Sequence, residues 1–390
     1  SNASFTEDDF RSLTMQNGLA DNIVPSIFKD KEGFMWFGTD NGLSRYDGRN
    51  FKNFNVDNQY LHVSYIGAMS DNYLGVIADN RLSFFSFRQE GFVPYDKFKG
   101  PASDLSDFLY AGNNSFWAIS RDMLLLYKFD EIKNGNGYVS SIRITKTRSF
   151  KLSVNSDIVN SSFCFSENRK YLYILTNHLQ LISFDIAKKR VIKSIYLSKG
   201  TAVSINGMLQ SDHILWISTL GQGIICYNFD TGKTDYITHG QSKSQLSHND
   251  VYGIIRINNH RYLAVTWGGF TIITLDKDHI GKYSTEIFSN LISSHHYLET
   301  RMLSAFYDVN GMLWIGTNGG GVLFSDLRTQ YYTQYHQSIH NEICQIAIDN
   351  HQYFWLATFN KGILRSVLPY SRGHRLDFQS VGTAEVRSKN

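Results

Sequence analysis

Three groupings in this chain have the residue types that do chemistry. The stretch GMLWIGTNGGGVLF, residues 311 to 324, sets Gly319, Gly320 and Gly321 behind a Thr, the composition of a loop that cradles phosphate. His336, His340 and Glu342 in YHQSIHNE, with the pair His295 and His296 upstream, carry metal-ligating side chains. Asp30, Asp71, Asp308 and Asp349 supply carboxylates of the kind a glycosidase needs in opposed pairs. Each grouping also has a plainer reading. A phosphate cradle feeds a helix whose N-terminus faces the anion, and no helical periodicity follows Gly321. Histidines at i and i+4 share a face on a helix but not on a strand or loop, so no metal site is expected. The four aspartates fall at one place in successive repeats, which marks them as turn formers whose carboxylates bond nearby amides. There is no Gly-x-Ser-x-Gly elbow, no His-Glu-x-x-His and no Walker loop. The sequence therefore predicts no catalytic residue and no cofactor.

The elements that must position these residues come from a repeat. The glycine stretch recurs as GFMWFGTDNGLSRYD from Gly33, HILWISTLGQGIICYNFD from His213 and QYFWLATFNKGILRS from Gln352, with weaker copies between. An anchor, usually aromatic, stands at Trp36, Val76, Trp117, Tyr173, Trp216, Leu263, Trp314 and Trp355. The steps between anchors are 40, 41, 56, 43, 47, 51 and 41 residues, the period of propeller blades rather than of a helical solenoid. The longest step contains IKNGNGYVSSIRITKTRSFKLSVNS, an insertion that predicts an extra hairpin or a long loop. Each copy shows four short alternating segments bounded by Gly, Asn and Asp, the pattern of half-buried strands joined by hairpin turns.

The expected fold is all-β: a single β-propeller of four-stranded antiparallel blades spanning 10–380, with eight blades favoured and seven as the alternative. Gly319 to Gly321 then align with Asn41-Gly42, Gly221-Gln222-Gly223 and Lys361-Gly362 as a recurring tight turn. Two residues beyond the anchor the side chain is small, as at Gly38, Ala78, Ser218, Gly316 and Ala357, where neighbouring sheets crowd toward an axis. FRSLT, Phe10 to Thr14, predicts a lone strand that pairs with the last blade and latches the ring, a role RLDFQSV near the C-terminus could also fill.

Composition agrees. Aromatic residues make up 14% and charged residues only 19%, a balance that fills sheet interfaces. A net charge of +3 on 390 residues, with no long Lys/Arg block, argues against direct nucleic-acid binding. No apolar run approaches the ~20 residues of a membrane helix, and the opening Ser1-Asn2-Ala3 resembles the remnant of a removed tag. Cys164, Cys226 and Cys344 lie far apart among apolar neighbours and read as small buried hydrophobes.

The stretch GLADNIVPSIFKDKEGFMWFGTDNGLSRYDGRNFKNF, Gly18 to Phe54, resembles the two-component regulator propeller repeat in its Asp-x-x-Gly turn, its MWFGT strand and its NGL and RYDG segments. That resemblance implies a glycan-sensing, extracytoplasmic (periplasmic) region of a membrane-anchored hybrid two-component regulator. It implies partners of three kinds: an oligosaccharide or other small ligand, a second propeller or β-sandwich domain, and a second copy of the chain. The repeat residues themselves are structural and transfer no binding site.

Ligand residues must therefore come from loops. The turns after the Thr of each W-x-G-T strand share one face with the segments entering each new repeat. The residue after that Thr is Asp40, Asn177 or Asn318 in three repeats, but Trp267 in the sixth and Phe359 in the eighth. An aromatic plate at a ring mouth suits the apolar face of a sugar. Arg301 and Lys361 are placed to meet a carboxylate or sulfate on an acidic glycan. Arg121, His178, Gln222, Asn249, Asn341 and Glu342 complete the expected face. Two readings of other classes stay open: a polysaccharide-acting propeller enzyme, and a scaffold that binds only protein.

Overall fold

Met35–Thr39 shows how the repeat folds. All five residues are buried, yet they point alternately to two sides. Trp36 packs with Val63, Val76 and Phe85 of the second repeat, while Met35 and Phe37 pack with Trp314 and Val322 of the seventh. A strand buried on both faces must lie in a sheet stacked between two others. In a computed structural model the described residues run from 10 to 381, apart from 57–58, 60, 97–104, 155–157, 159–162, 199, 201, 241–244, 277–281, 290–291, 294–295, 328–342, 360 and 370–377.

Among the described residues there are eight four-stranded antiparallel sheets, one for each repeat, and in all but the seventh the strand order follows the chain. The first comprises Ser26–Lys29, Met35–Thr39, Gly42–Tyr46 and Phe51–Phe54. Among the described residues the single helix is a 3-10 turn, Met15–Asn17. Gly321 opens the strand Val322–Asp326 and precedes no helix, so the glycine run is the turn expected of it.

The chain divides into two compact units, Ser1–Arg328 and Thr329–Asn390. The first holds seven of the sheets. Its apolar clusters each lie between consecutive sheets, and the last one joins the seventh sheet back to the first through Val24, Met35, Phe37, Trp314 and Val322. Within the first unit seven of the eight expected sheets close into a circuit. The latch strand Arg11–Leu13 pairs antiparallel with Val322–Asp326, placing Arg11 opposite Phe324 and Leu13 opposite Val322. Phe10 is buried beside Phe270, with ring centroids 5.7 Å apart. The latch therefore completes the seventh sheet rather than the last one, because Phe10 is buried between the sixth and seventh sheets and Leu13 between the seventh and first. The eighth sheet, in the second unit, takes its outer strand Phe378–Ser380 from RLDFQSV.

Small residues sit where sheets approach. A Cβ added at Gly38 would lie 2.7 Å from a Val63 methyl, and one at Gly316 would lie 2.1 Å from the Val24 carbonyl oxygen. The insertion is neither a separate hairpin nor a loop. It lengthens the outer pair of the third sheet to Met123–Lys133 and Val139–Lys151, and Ile142 N–H donates to the Pro94 carbonyl at 2.8 Å. Burial holds for Cys164, but Cys226 is half-buried and Cys344 lies exposed on Ile343–Ile348.

Candidate functional site

In five of the eight repeats a Thr at or near the end of the anchor strand locks the next turn. The Thr39, Thr219, Thr266, Thr317 and Thr358 hydroxyls donate to the carbonyls of Gly42, Gly223, Gly269, Gly321 and Gly362 at 2.7–2.9 Å. The same oxygens accept an amide N–H from within the turn, so the loop side chains stand on a fixed base.

Trp267 stands on the turn after Thr266, half-buried, with its backbone N–H donating to the Asp250 carbonyl at 3.0 Å. Its ring lies 5.6 Å from that of Tyr252, tilted by 31°. The Arg301 guanidinium lies over the indole at 5.6 Å from the ring centroid. Arg301 is fixed by a fork: Nε donates to Glu299 Oε1 at 2.9 Å and a terminal nitrogen donates to Oε2 at 2.6 Å. The hydrogen bond from Arg301 holds the Glu299 carboxyl below its usual range, and the same pair raises Arg301. The Asn318 N–H donates to the Arg301 carbonyl at 2.8 Å. Glu299 can sit this close only because residue 320 is Gly, where a Cβ would fall 2.4 Å from that of Glu299. Asn206 Nδ2 reaches the Tyr252 carbonyl from the fifth sheet at 2.8 Å.

The structure thus brings Trp267, Arg301 and Asn318 together. It adds Tyr252, Glu299 and Asn206, which sequence reasoning missed. Tyr252 and Asn206 lie at register shifts near the start of inner strands, where a bulge re-aims the side chain. The shift recurs in the second and seventh sheets, but no residue type marks it in the sequence. An aromatic pair edged by a pinned guanidinium, a carboxylate and amides can stack a ring and read its hydroxyl or acid groups.

Of the other described candidates of the first unit, Asp40, His178 and Asn249 have partners of their own. Asp40 Oδ1 is 2.6 Å from His62 Nδ1 on the first and second sheets. Arg121 occupies a hairpin turn with φ of 55°. His178 bonds its neighbour Asn177 at 2.8 Å. Gln222 sits on the turn locked by Thr219, beside which Asn249 Nδ2 donates to the His239 carbonyl at 2.9 Å. Phe359 and Lys361 belong to the second unit, on the turn locked by Thr358; Phe359 is 74% exposed. Asn341 and Glu342, like His336 and His340, lie outside the described residues.

Asp30, Asp308 and Asp349 act as turn formers, whereas at the fourth expected position, Asp71, the neighbouring Ser70 accepts the turn amide instead. Asp30 Oδ1 accepts from the amides of Glu32 and Phe34, and Oδ2 accepts the Trp36 indole N–H at 2.7 Å. Asp349 repeats the pattern with His351, Tyr353 and Trp355. Asp308 accepts from Asn310 and Met312, but its second oxygen takes Lys29 Nζ of the first sheet at 2.7 Å, leaving the buried Trp314 indole N–H without a partner. In the second repeat Ser70 Oγ accepts the Asn72 amide beside Asp71. These turns lie at the strand ends opposite the Thr turns.

Residues 18–41 match the family described as Two component regulator propeller. No curated protein matches the chain. Among solved structures the chain is similar to the extracellular domain assigned to the hybrid two component system BT3049 from B. thetaiotaomicron, at 16% identity and a TM-score of 0.59, over 95% of this chain and 49% of that one. It is also similar to the corresponding domain of BT4673 from the same organism, at 17% identity and a TM-score of 0.58, over 96% and 48%. Virginiamycin B lyase from Staphylococcus aureus resembles it at 12% identity and a TM-score of 0.55, over 81% and 98%. The chain spans about half the length of the two extracellular domains. At these identities the resemblance carries the propeller fold, and the first repeat carries the two-component regulator propeller signature.

Proposed function

We propose that this chain is the ligand-recognition region of a membrane-anchored two-component regulator, held outside the cytoplasm, which binds a glycan fragment without turning it over. The reading is supported by the propeller repeat at residues 18–41 and by the fold shared with extracellular domains assigned to such systems. One observation carries the recognition role: Trp267 stands where the first, fourth and seventh repeats have Asp40, Asn177 and Asn318, and its ring is braced by Tyr252 and capped by a fixed Arg301. Stacking on Trp267 would exclude water from the hydrogen bonds that Arg301 and Asn318 offer beside it. Signalling then requires that the ligand favour one packing of this rigid ring against a neighbouring domain or a second copy over another. Phe359 and Lys361 are candidate contacts of the second unit in its own right.

The test is a glycan panel read by melting temperature and by product release. A sensor gives a stabilised protein with no products, an enzyme gives products, and a protein-binding scaffold gives neither. Trp267→Ala should weaken the responding glycan at least about tenfold, roughly the 1.4 kcal/mol expected of a lost stacking plate. Its melting temperature without ligand should stay near that of the parent. Unchanged affinity in that variant would remove the site.

A further inference from the structure

We infer that the outer rim between the third and fourth sheets is a second binding site, for an acidic polysaccharide chain. It is separate from the Trp267 face and stands without it. A cleft of about 340 Å³ opens there between Val139–Lys151 and the outer strand of the fourth sheet, Arg190–Tyr196. That volume falls within the range of small-ligand sites. Its floor is apolar: Phe150 and Phe184 meet edge to face at 5.0 Å, and Ile182 and Val191 flank them. Its mouth is cationic, with Lys151, Lys189 and Arg190.

None of these three cations has an ion pair among the described residues. Asp185, the carboxylate nearest in sequence to Lys189 and Arg190, is already engaged with Lys188 at 3.8 Å. Hydroxyl recognition is also available. Buried Gln180 donates to Ser194 Oγ at 3.0 Å, which leaves the Ser194 hydroxyl hydrogen to donate outward.

The cations continue beyond the cleft. Arg143, Lys146 and Arg148 lie exposed on the same edge strand as Lys151, and from Arg143 to Lys151 the strand rises roughly 25 Å. Arg148, two residues before Phe150, shares its side of the strand. A recessed apolar floor takes the C–H face of a sugar ring, and cations spaced along a line take acid groups repeated along a chain. A bilayer surface would meet the cations and leave the floor empty. A DNA duplex would do the same.

The experiment is calorimetric titration of the protein with an oligogalacturonate hexamer and with a dextran sulfate oligosaccharide. Unsulfated dextran, a short DNA duplex and phosphatidylglycerol vesicles are titrated in parallel. The proposal expects binding of at least one acidic oligosaccharide that weakens with salt. Binding should fall about thirtyfold in Lys151→Glu/Arg190→Glu and persist in Trp267→Ala. Both substituted side chains are exposed, and Lys151→Gln/Arg190→Gln, expected to lose about tenfold, serves if charge reversal unfolds the protein. The proposal is overturned if neither acidic oligosaccharide binds, if unsulfated dextran, DNA or vesicles bind equally well, or if a folded variant binds as the parent does. Loss in Trp267→Ala alone would leave the first site standing and remove this one.

Discussion

At the scale of single residues, the clearest lesson lies in two nearly identical turns. Asp30 accepts the Trp36 indole N–H, whereas Asp308 gives the equivalent oxygen to Lys29 and leaves Trp314 unsatisfied. The exchange trades a local bond for one that ties the seventh sheet to the first. Burial alone would raise the Asp308 carboxyl, but Lys29 and the amides of Met312 and Asn310 outweigh it and hold the group below the usual carboxylate range. A depressed carboxylate contributes stability that is fully present above its unfolded pKa of about 4 and is lost as pH falls through the lower folded value. The urea midpoint should therefore decline below about pH 4, and Asp308→Asn should flatten that decline. Asp308→Ala should cost about 2–4 kcal/mol, because it strands a Lys29 that is 22% exposed together with two turn amides. Lys29→Met should cost less than about 1 kcal/mol, since it frees Asp308 to accept from Trp314 as Asp30 does from Trp36. Equal losses from the two would refute the exchange.

At the scale of elements, the Thr turns divide into those with room and those without. Gly321 has φ of +74°, and a Cβ there would fall 2.2 Å from the carbonyl oxygen of Leu13 in the latch strand. Gly319 has φ of +118° but only a Glu299 carboxylate oxygen within 4.0 Å of an added Cβ. Gly319→Ala should cost about 1–2 kcal/mol, the strain of the left-handed backbone alone. Gly321→Ala should cost about 3 kcal/mol or more and should expose residues 10–14 to protease, because it also pushes the latch away. Denaturant titration with limited proteolysis separates the two. These elements were legible in the sequence because turn and strand chemistry is local: Trp36, Thr39 and Gly42 sit within one repeat and announce it. Lys29 with Asp308, and Trp267 with Tyr252 and Arg301, were not, because each contact joins different repeats. The repeat period identifies which sheets exist without saying which side chains meet across them. The rim cations were hidden differently, since a net charge of +3 averages away a basic strand edge.

At the scale of the whole chain, eight repeats predicted eight sheets, and the count is right. What period alone does not reveal is where a circuit closes, because closure depends on which sheet receives the latch. Since every contact that closes the first unit lies within Ser1–Arg328, a chain ending at Arg328 should keep its main calorimetric transition within about 5 °C of the parent. Loss of cooperative unfolding in that shorter chain would show that the circuit depends on the second unit, Thr329–Asn390. The latch also sets an order of events during synthesis. Arg11 to Leu13 leave the ribosome some three hundred residues ahead of their partners Val322 to Phe324. Each sheet can form from its own hairpins as it appears, while that segment must wait undocked until nearly the whole first unit has been made. A strand made ahead of the seven sheets is thus the last to find its place, so a nascent chain stalled before Val322 would hold that strand undocked and the circuit unclosed.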